Sequence, residues 1–299
     1  MGGRTGRSWC SKNRAEVKPV PPKEYALPLH VERHGTDGSP IVLLHGFGGS
    51  SFSWRYWIPA LAANHQVWAV DLKAHGSAPA PEDDRYTPHD HAELICRLII
   101  QQDFRNVTLF GHSMGGGIAL LVALRLLEQG RLERLVLVAS AAYAQRLPPF
   151  VKMACQGRLA AVFFTLVPKR VLIRWILRTI VYDPSAISGA QVEAYAEPLR
   201  SAAHRRGLIK TARDIIPPDL EQLSARFVEI DVPTLLMWGR HDRVVPLSVG
   251  ERLLEELPNA TLEVMEECGH LPPEEVPKDS LKIVESFLRG DVSSTPSQE

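Results

Sequence analysis

A serine with glycine two positions away on each side, Gly111-His112-Ser113-Met114-Gly115, follows the apolar run 106–111 and precedes a helical pattern. Strand, tight turn and helix in that order form the setting in which G-x-S-x-G acts as a nucleophile elbow. Residues without a Cβ let strand and helix close on each other, and the serine hydroxyl is pushed out above the sheet. A serine hydroxyl is a poor nucleophile until a base takes its proton, so the chemistry also needs a histidine, itself oriented by a carboxylate. On this kind of scaffold the chain order is serine, acid, histidine. Gly239-Arg240-His241-Asp242 closes the apolar run 232–239, and of eleven histidines only His270 lies beyond Asp242. Taken singly, Asp242 reads as a surface turn residue and His270 as a capping or buried histidine. Placed with the elbow, they make Ser113 the candidate nucleophile, His270 the candidate base and Asp242 its orienting acid.

Acyl transfer also requires N–H donors aimed at the developing oxyanion. His45-Gly46-Phe47-Gly48-Gly49 follows the apolar run 41–46, where a glycine-rich loop can present backbone amides. Phe47 is the candidate donor from this loop and Met114, at the start of the helix after the elbow, the second; the positive end of that helix dipole favours the same negative charge. A phosphate cradle is the poorer reading of these glycines, because neither G-x-x-x-x-G-K-[ST] nor G-x-G-x-x-G occurs. No H-E-x-x-H spacing is present and the chemistry needs no metal or organic cofactor, so none is expected.

The elements that must position these groups are apolar runs at 41–46, 67–72, 106–111, 134–140, 232–239 and 261–266. Such runs suit strands buried on both faces of a parallel sheet. Helical patterns at 53–63, 88–102, 114–129, 247–257 and 274–288 alternate with them, which predicts an α/β fold with a mostly parallel sheet flanked by helices. Ser113, Asp242 and His270 then sit in loops at the carboxyl ends of strands, where open sheets of this class bind ligands. Alternation breaks between Ala141 and about Val228, a largely helical stretch opening with LPPF at 147–150. The expected organisation is a core over 25–147 and 229–290, a helical cap over 148–228, and flexible tails at 1–24 and 291–299. No period of 20 to 50 residues repeats.

With 299 residues, 45% hydrophobic and 23% charged, the chain can bury a core without disulfides or structural metal. Lys+Arg and Asp+Glu both total 34, so no global field attracts nucleic acid, and none is expected as a partner. Cys10, Cys96, Cys155 and Cys268 are far apart and read as free thiols in a reducing compartment. The basic N-terminus has no apolar stretch of secretory length, and Gly6 stands where a myristoylation site needs Ser or Thr. Residues 150–182 carry Lys152, Arg158, Lys169, Arg170, Arg174 and Arg178 and no acid. Arg170, Arg174 and Arg178 share one helical face among apolar neighbours. The bland reading is a cap helix with solvated arginines; the sharper one is a cationic amphipathic helix resting on an anionic membrane. No uncharged apolar run approaches the ~20 residues that span a bilayer, so peripheral contact is the most the pattern permits. The expected location is cytoplasmic, with peripheral membrane association as the alternative reading.

Through His45-Gly46-Phe47-Gly48-Gly49, Gly111-His112-Ser113-Met114-Gly115-Gly116, Gly239-Arg240-His241-Asp242 and Gly269-His270, the chain resembles the α/β-hydrolase fold superfamily over about residues 25–290. The resemblance implies a Ser113 nucleophile, a His270 base held by Asp242, an oxyanion hole from Phe47 and Met114, and a cap roofing an acyl pocket. Members that open epoxides or remove halogens carry Asp where Ser113 stands, which disfavours those reactions. Lid-bearing carboxylesterases and lipases compete with hydrolases that cleave carbon–carbon bonds in aromatic ring-fission products. HGFGGSSFSW at 45–54 looks like the latter. His112, where that group typically has Asn, and Leu271, where it often has Trp, depart from it, and GHSMGG is more typical of esterases and lipases. Ala74, in DLKAHG at 71–76, replaces the usual Gly. The expectation is a small-molecule ester substrate with an apolar acyl chain, cleaved through an acyl-enzyme. Carbon–carbon hydrolysis and a non-catalytic ligand receptor on the same fold are the alternatives.

Overall fold

A computed structural model describes residues 27–156 and 165–291. The expected tail at 1–24 and all but Asp291 of that at 291–299, together with Cys10 and Arg158, lie outside the described residues.

Seven strands form one sheet in the order β1-β3-β2-β4-β5-β6-β7. They are β1 His30–His34, β2 Pro40–Leu44, β3 Gln66–Asp71, β4 Val107–His112, β5 Leu132–Val138, β6 Thr234–Gly239 and β7 Ala260–Met265. All neighbours pair parallel except β1, which runs antiparallel to β3 at one edge. Every residue of β2, β4 and β6 is buried. This is the mostly parallel sheet flanked by helices that the alternating runs predict, and the alpha/beta hydrolase fold that the resemblance implies; six of the seven strands coincide with those runs. The seventh, β1, has the sequence HVERH with two exposed charges, so no apolar run marks it.

Helix Met114–Leu127 packs on one side of the sheet with helix Pro88–Gln101, whose N-terminus is closed by a capping box between Thr87 and Asp90. Two expected helices are shorter. The pattern at 53–63 resolves into a 3₁₀ turn, Ser51–Trp54, and a single helical turn, Ile58–Leu61. That at 274–288 divides into Pro272–Glu275 and Pro277–Arg289, because Pro277 lacks the N–H that would continue the first helix. Between β5 and β6 run helices Pro149–Ala154, Lys169–Ile180, Gly189–Ala196, Ala202–Arg213 and Leu220–Ser224. Cys96, Cys155 and Cys268 are free thiols.

Ala74 adopts φ 62°, the left-handed conformation that glycine takes without steric penalty. The methyl group is accommodated by Gly207 of the helical segment, where an added Cβ would lie 2.3 Å from that of Ala74. Core and insertion therefore carry a reciprocal exchange of side-chain size at this contact.

Candidate active site

Strand β4 ends in a turn at which Ser113 takes φ 54°, ψ −120°, and helix Met114–Leu127 begins at the next residue. The glycines around it are required by close approach. A Cβ on Gly111 would lie 2.5 Å from the Gly115 carbonyl oxygen, and one on Gly115 would lie 2.4 Å from that of His45. Val138 O accepts the Ser113 N–H at 3.0 Å, and Ser113 O accepts from Gly116 and Ala141, so the strained turn is tied to β5 and to the helix together.

His270 Nε2 lies 2.9 Å from Ser113 Oγ, and His270 Nδ1 lies 2.8 Å from Asp242 Oδ2. Asp242 Oδ1 accepts the N–H groups of Val244 and Val245 at 2.7 and 2.9 Å, which fixes the carboxylate plane. The three residues that sequence order singles out thus form one hydrogen-bonded chain. An imidazole with a carboxylate on Nδ1 presents Nε2 as an acceptor, so the arrangement can take the Ser113 proton as the hydroxyl attacks an electrophilic carbon.

The loop after β2 folds as a turn, with Gly49 N–H donating to Gly46 O at 3.0 Å and Gly48 at φ 71°. His45 holds it. Its Nε2 accepts the Leu72 N–H at 3.0 Å, so Nδ1 carries the proton and donates to Gly46 O at 2.8 Å. Burial lowers the His45 pKa to about 4, keeping the ring neutral and that tautomer in place. Gly46 approaches the elbow closely: a Cβ there would meet Ser113 Cβ at 3.0 Å. Phe47 and Met114 both line the cavity above Ser113, and among the described residues no hydrogen bond engages the N–H of either.

Sequence reasoning missed how His270 is anchored. Glu275 Oε2 accepts from Gly269 N–H at 3.0 Å and Oε1 from Leu271 N–H at 2.8 Å, so one carboxylate grips the backbone on both sides of His270. The same Oε2 accepts from Tyr182 N–H at 2.6 Å, and the His270 N–H donates to Ile180 O at 2.9 Å. His112 Nε2 donates to His270 O at 2.8 Å; burial lowers the His112 pKa to about 3, which leaves a neutral donor. The histidine loop is therefore seated partly on the backbone that leaves helix Lys169–Ile180. Gly269 permits this, since a Cβ there would meet Ile180 O at 2.5 Å. Adjacent Glu274, driven toward the neutral form by burial, accepts from Arg55, Gln191 and Tyr195 and so joins the insertion to the core. The only signal for either glutamate is proximity to His270 in the run Pro272-Pro273-Glu274-Glu275.

Above Ser113 lies a cavity of about 190 Å³. Ile173, Ile176, Leu177 and Leu208 from the insertion, and Met114, Ile118 and Leu121 from the core, are among the side chains that wall it. Arg205 is the one lysine or arginine among the described lining residues, and its Nη1 donates to Leu199 O and Arg200 O. The described residues contain no cluster of His, Cys, Asp and Glu able to hold a metal ion, and no described helix is long and apolar enough to cross a membrane.

A model of the alpha/beta hydrolase family matches residues 41–281. An uncharacterized hydrolase of Bacillus subtilis, YugF, is 30% identical over 263 residues, covering 83% of this chain and 89% of that protein. A 2-hydroxy-6-oxononadienedioate/2-hydroxy-6-oxononatrienedioate hydrolase of Cupriavidus pinatubonensis is 27% identical over 265 residues, covering 87% and 90%. Among solved structures, an esterase from Exiguobacterium antarcticum superposes with a TM-score of 0.72 at 25% identity, covering 87% of this chain and 95% of that one.

Proposed function

The chain belongs to the alpha/beta hydrolase family, and from that premise we propose that it is a serine hydrolase of carboxylic esters with an apolar acyl chain. Ser113 Oγ attacks the ester carbonyl while His270 Nε2 takes its proton, and Asp242 stabilises the imidazolium through Nδ1–H. The Phe47 and Met114 amides receive the oxyanion. Collapse of the tetrahedral adduct expels the alcohol, which takes the proton from His270, and leaves an acyl-enzyme. Water, deprotonated by His270, then releases the acid and regenerates Ser113. The helical segment 148–228 acts as the cap over this site.

The observation that carries the reading is the wall of the cavity at Ser113, aliphatic and aromatic over most of its lining, which suits a neutral acyl chain. Hydrolysis of p-nitrophenyl esters of increasing chain length, with wild type and Ser113→Ala side by side, tests it. The expected result is turnover that peaks beyond the shortest acyl groups and falls by at least about 10⁴-fold in the variant. Turnover unaffected by the substitution would overturn it.

Arg205 favours a second reading. A cation in the cavity wall suits a substrate carboxylate, and the dioate hydrolase relative acts, by its name, on such a compound. Under this reading the same Ser113 and His270 cleave a carbon–carbon bond next to a ketone. His112 and Leu271 weigh against it, as departures from that group's pattern. Turnover of a ring-fission dienoate with none of any ester, abolished by Arg205→Ala, would put carbon–carbon hydrolysis first.

A further inference from the structure

Helix Lys169–Ile180 has two faces. Leu172, Ile173, Leu177 and Ile180 are buried, while Val171, Arg174, Trp175 and Arg178 form one exposed stripe. Val171 is 61% and Trp175 48% exposed, and Leu166 just before the helix is 76% exposed. Arg170, at the edge of the stripe, is paired with Glu193. Arg174, Arg178 and Arg243 have no ion-pair or hydrogen-bond partner among the described residues. The sequence holds no acid between Glu133 and Asp183, so nothing in that stretch neutralises the stripe.

Beside Trp175 runs a groove lined also by Pro149, Thr179 and Arg243, and it shares Pro148, Phe150, Ile180 and Val244 with the cavity over Ser113. An unpaired cationic stripe interleaved with exposed apolar side chains therefore lies against the cavity wall. Tryptophan and valine between arginines suit a surface that is anionic at its face and apolar just beneath, the character of a lipid interface. A symmetric second copy would set Arg174 and Arg178 against their own like charges, which disfavours self-pairing through this face.

We propose that the stripe Val171, Arg174, Trp175 and Arg178, with Arg243 beside it, docks on an anionic lipid bilayer and holds the groove against the membrane surface. Docking requires no turnover, so it stands or falls separately from the ester reading.

The test is co-sedimentation of the full chain with phosphatidylcholine vesicles, with and without phosphatidylglycerol. Wild type is expected to pellet with the anionic vesicles only, and less as salt rises. Neutralising the pair in Arg174→Gln/Arg178→Gln should lower partitioning about thirtyfold, at roughly a fivefold loss for each arginine. Lys278→Glu, on helix Pro277–Arg289, should leave the loss much smaller, and thermal melts establish that each variant is folded. Trp175→Phe should abolish the blue shift of tryptophan fluorescence that accompanies binding. No pelleting of wild type, equal pelleting of the double variant, or a concentration-dependent dimer abolished by the same substitutions would overturn the proposal.

Discussion

The floor and the roof of the Ser113 cavity are held by different physics. In the floor, backbone geometry decides. Ser113, Asp242 and His270 stand at the ends of strands locked into one sheet, and glycines at 111, 115, 239 and 269 allow chain segments to approach to distances no side chain would permit. In the roof, side-chain packing decides: Ile173, Ile176 and Leu177 close the cavity from a helix whose opposite stripe is exposed. Such a floor tolerates little substitution and fixes reaction chemistry, whereas the roof can change side chains without moving the reacting atoms. The exception is Glu275, through which the roof's departing backbone reaches the loop that carries His270.

That exception supplies the largest expected effect. Glu275→Ala should lower kcat about a hundredfold with KM little changed, because a base displaced by an ångström loses its near-attack alignment. Glu275→Gln should recover only part of this, since an amide offers one acceptor oxygen where the carboxylate offers two. Steady-state kinetics on one soluble ester, with thermal melts as the control for folding, decides; a KM effect alone would mean that the roof touches only substrate binding.

A roof substitution sharpens the contrast from the other side. Ile176→Phe should reduce kcat/KM about tenfold for long acyl chains while leaving the shortest ester within a few-fold, as expected when cavity volume alone is altered. Equal losses across the ester series would show that roof and floor are not separable.

Burial lowers the pKa of His45 to about 4 and of His75, His91 and His112 to about 3, against 6.5 in the unfolded chain. Between those values the unfolded state binds more protons, so stability is complete above pH 6.5 and falls as pH drops below it. Each histidine contributes up to about 1.4 kcal/mol per pH unit to that fall. Urea midpoints measured from pH 7 to 5 should decline, and His91→Leu should flatten the slope. An unchanged slope in that variant would remove His91 from the account.

The smallest effect lies where core and insertion exchange size. Ala74→Gly should stabilise the fold by about 1 kcal/mol, through relief of the left-handed alanine. Gly207→Ala should destabilise it and be partly rescued by Ala74→Gly, because the 2.3 Å contact to Ala74 disappears. Denaturant melts of the two single variants and the double would reveal additivity instead if the two sites were independent.

Legibility in the sequence follows the same division. Ser113, Asp242 and His270 could be read because each ends or follows an apolar run beside glycine, and chain order selected one histidine of eleven. Phe47 and Met114 were placed by adjacency to those runs. Strand β1 could not be read, since its pairing with β3 at an edge demands no apolar run. Glu275 was invisible because its work is to accept backbone N–H groups, which leaves no spacing rule. The roof residues beyond Ala141 were recognisable as helical and apolar, but which of them face Ser113 depends on contacts with strands far away in the chain. Ala74 marked an irregular loop, while its partner Gly207 carried no sign of the relation.

The central claim, that Ser113 is a nucleophile activated by His270, is tested most directly by a fluorophosphonate probe followed by peptide mass mapping. The account predicts a single adduct on Ser113, formed rapidly by wild type and slowed by several orders of magnitude in His270→Ala. An adduct on another serine, or labelling of Ser113 unchanged by loss of His270, would contradict it.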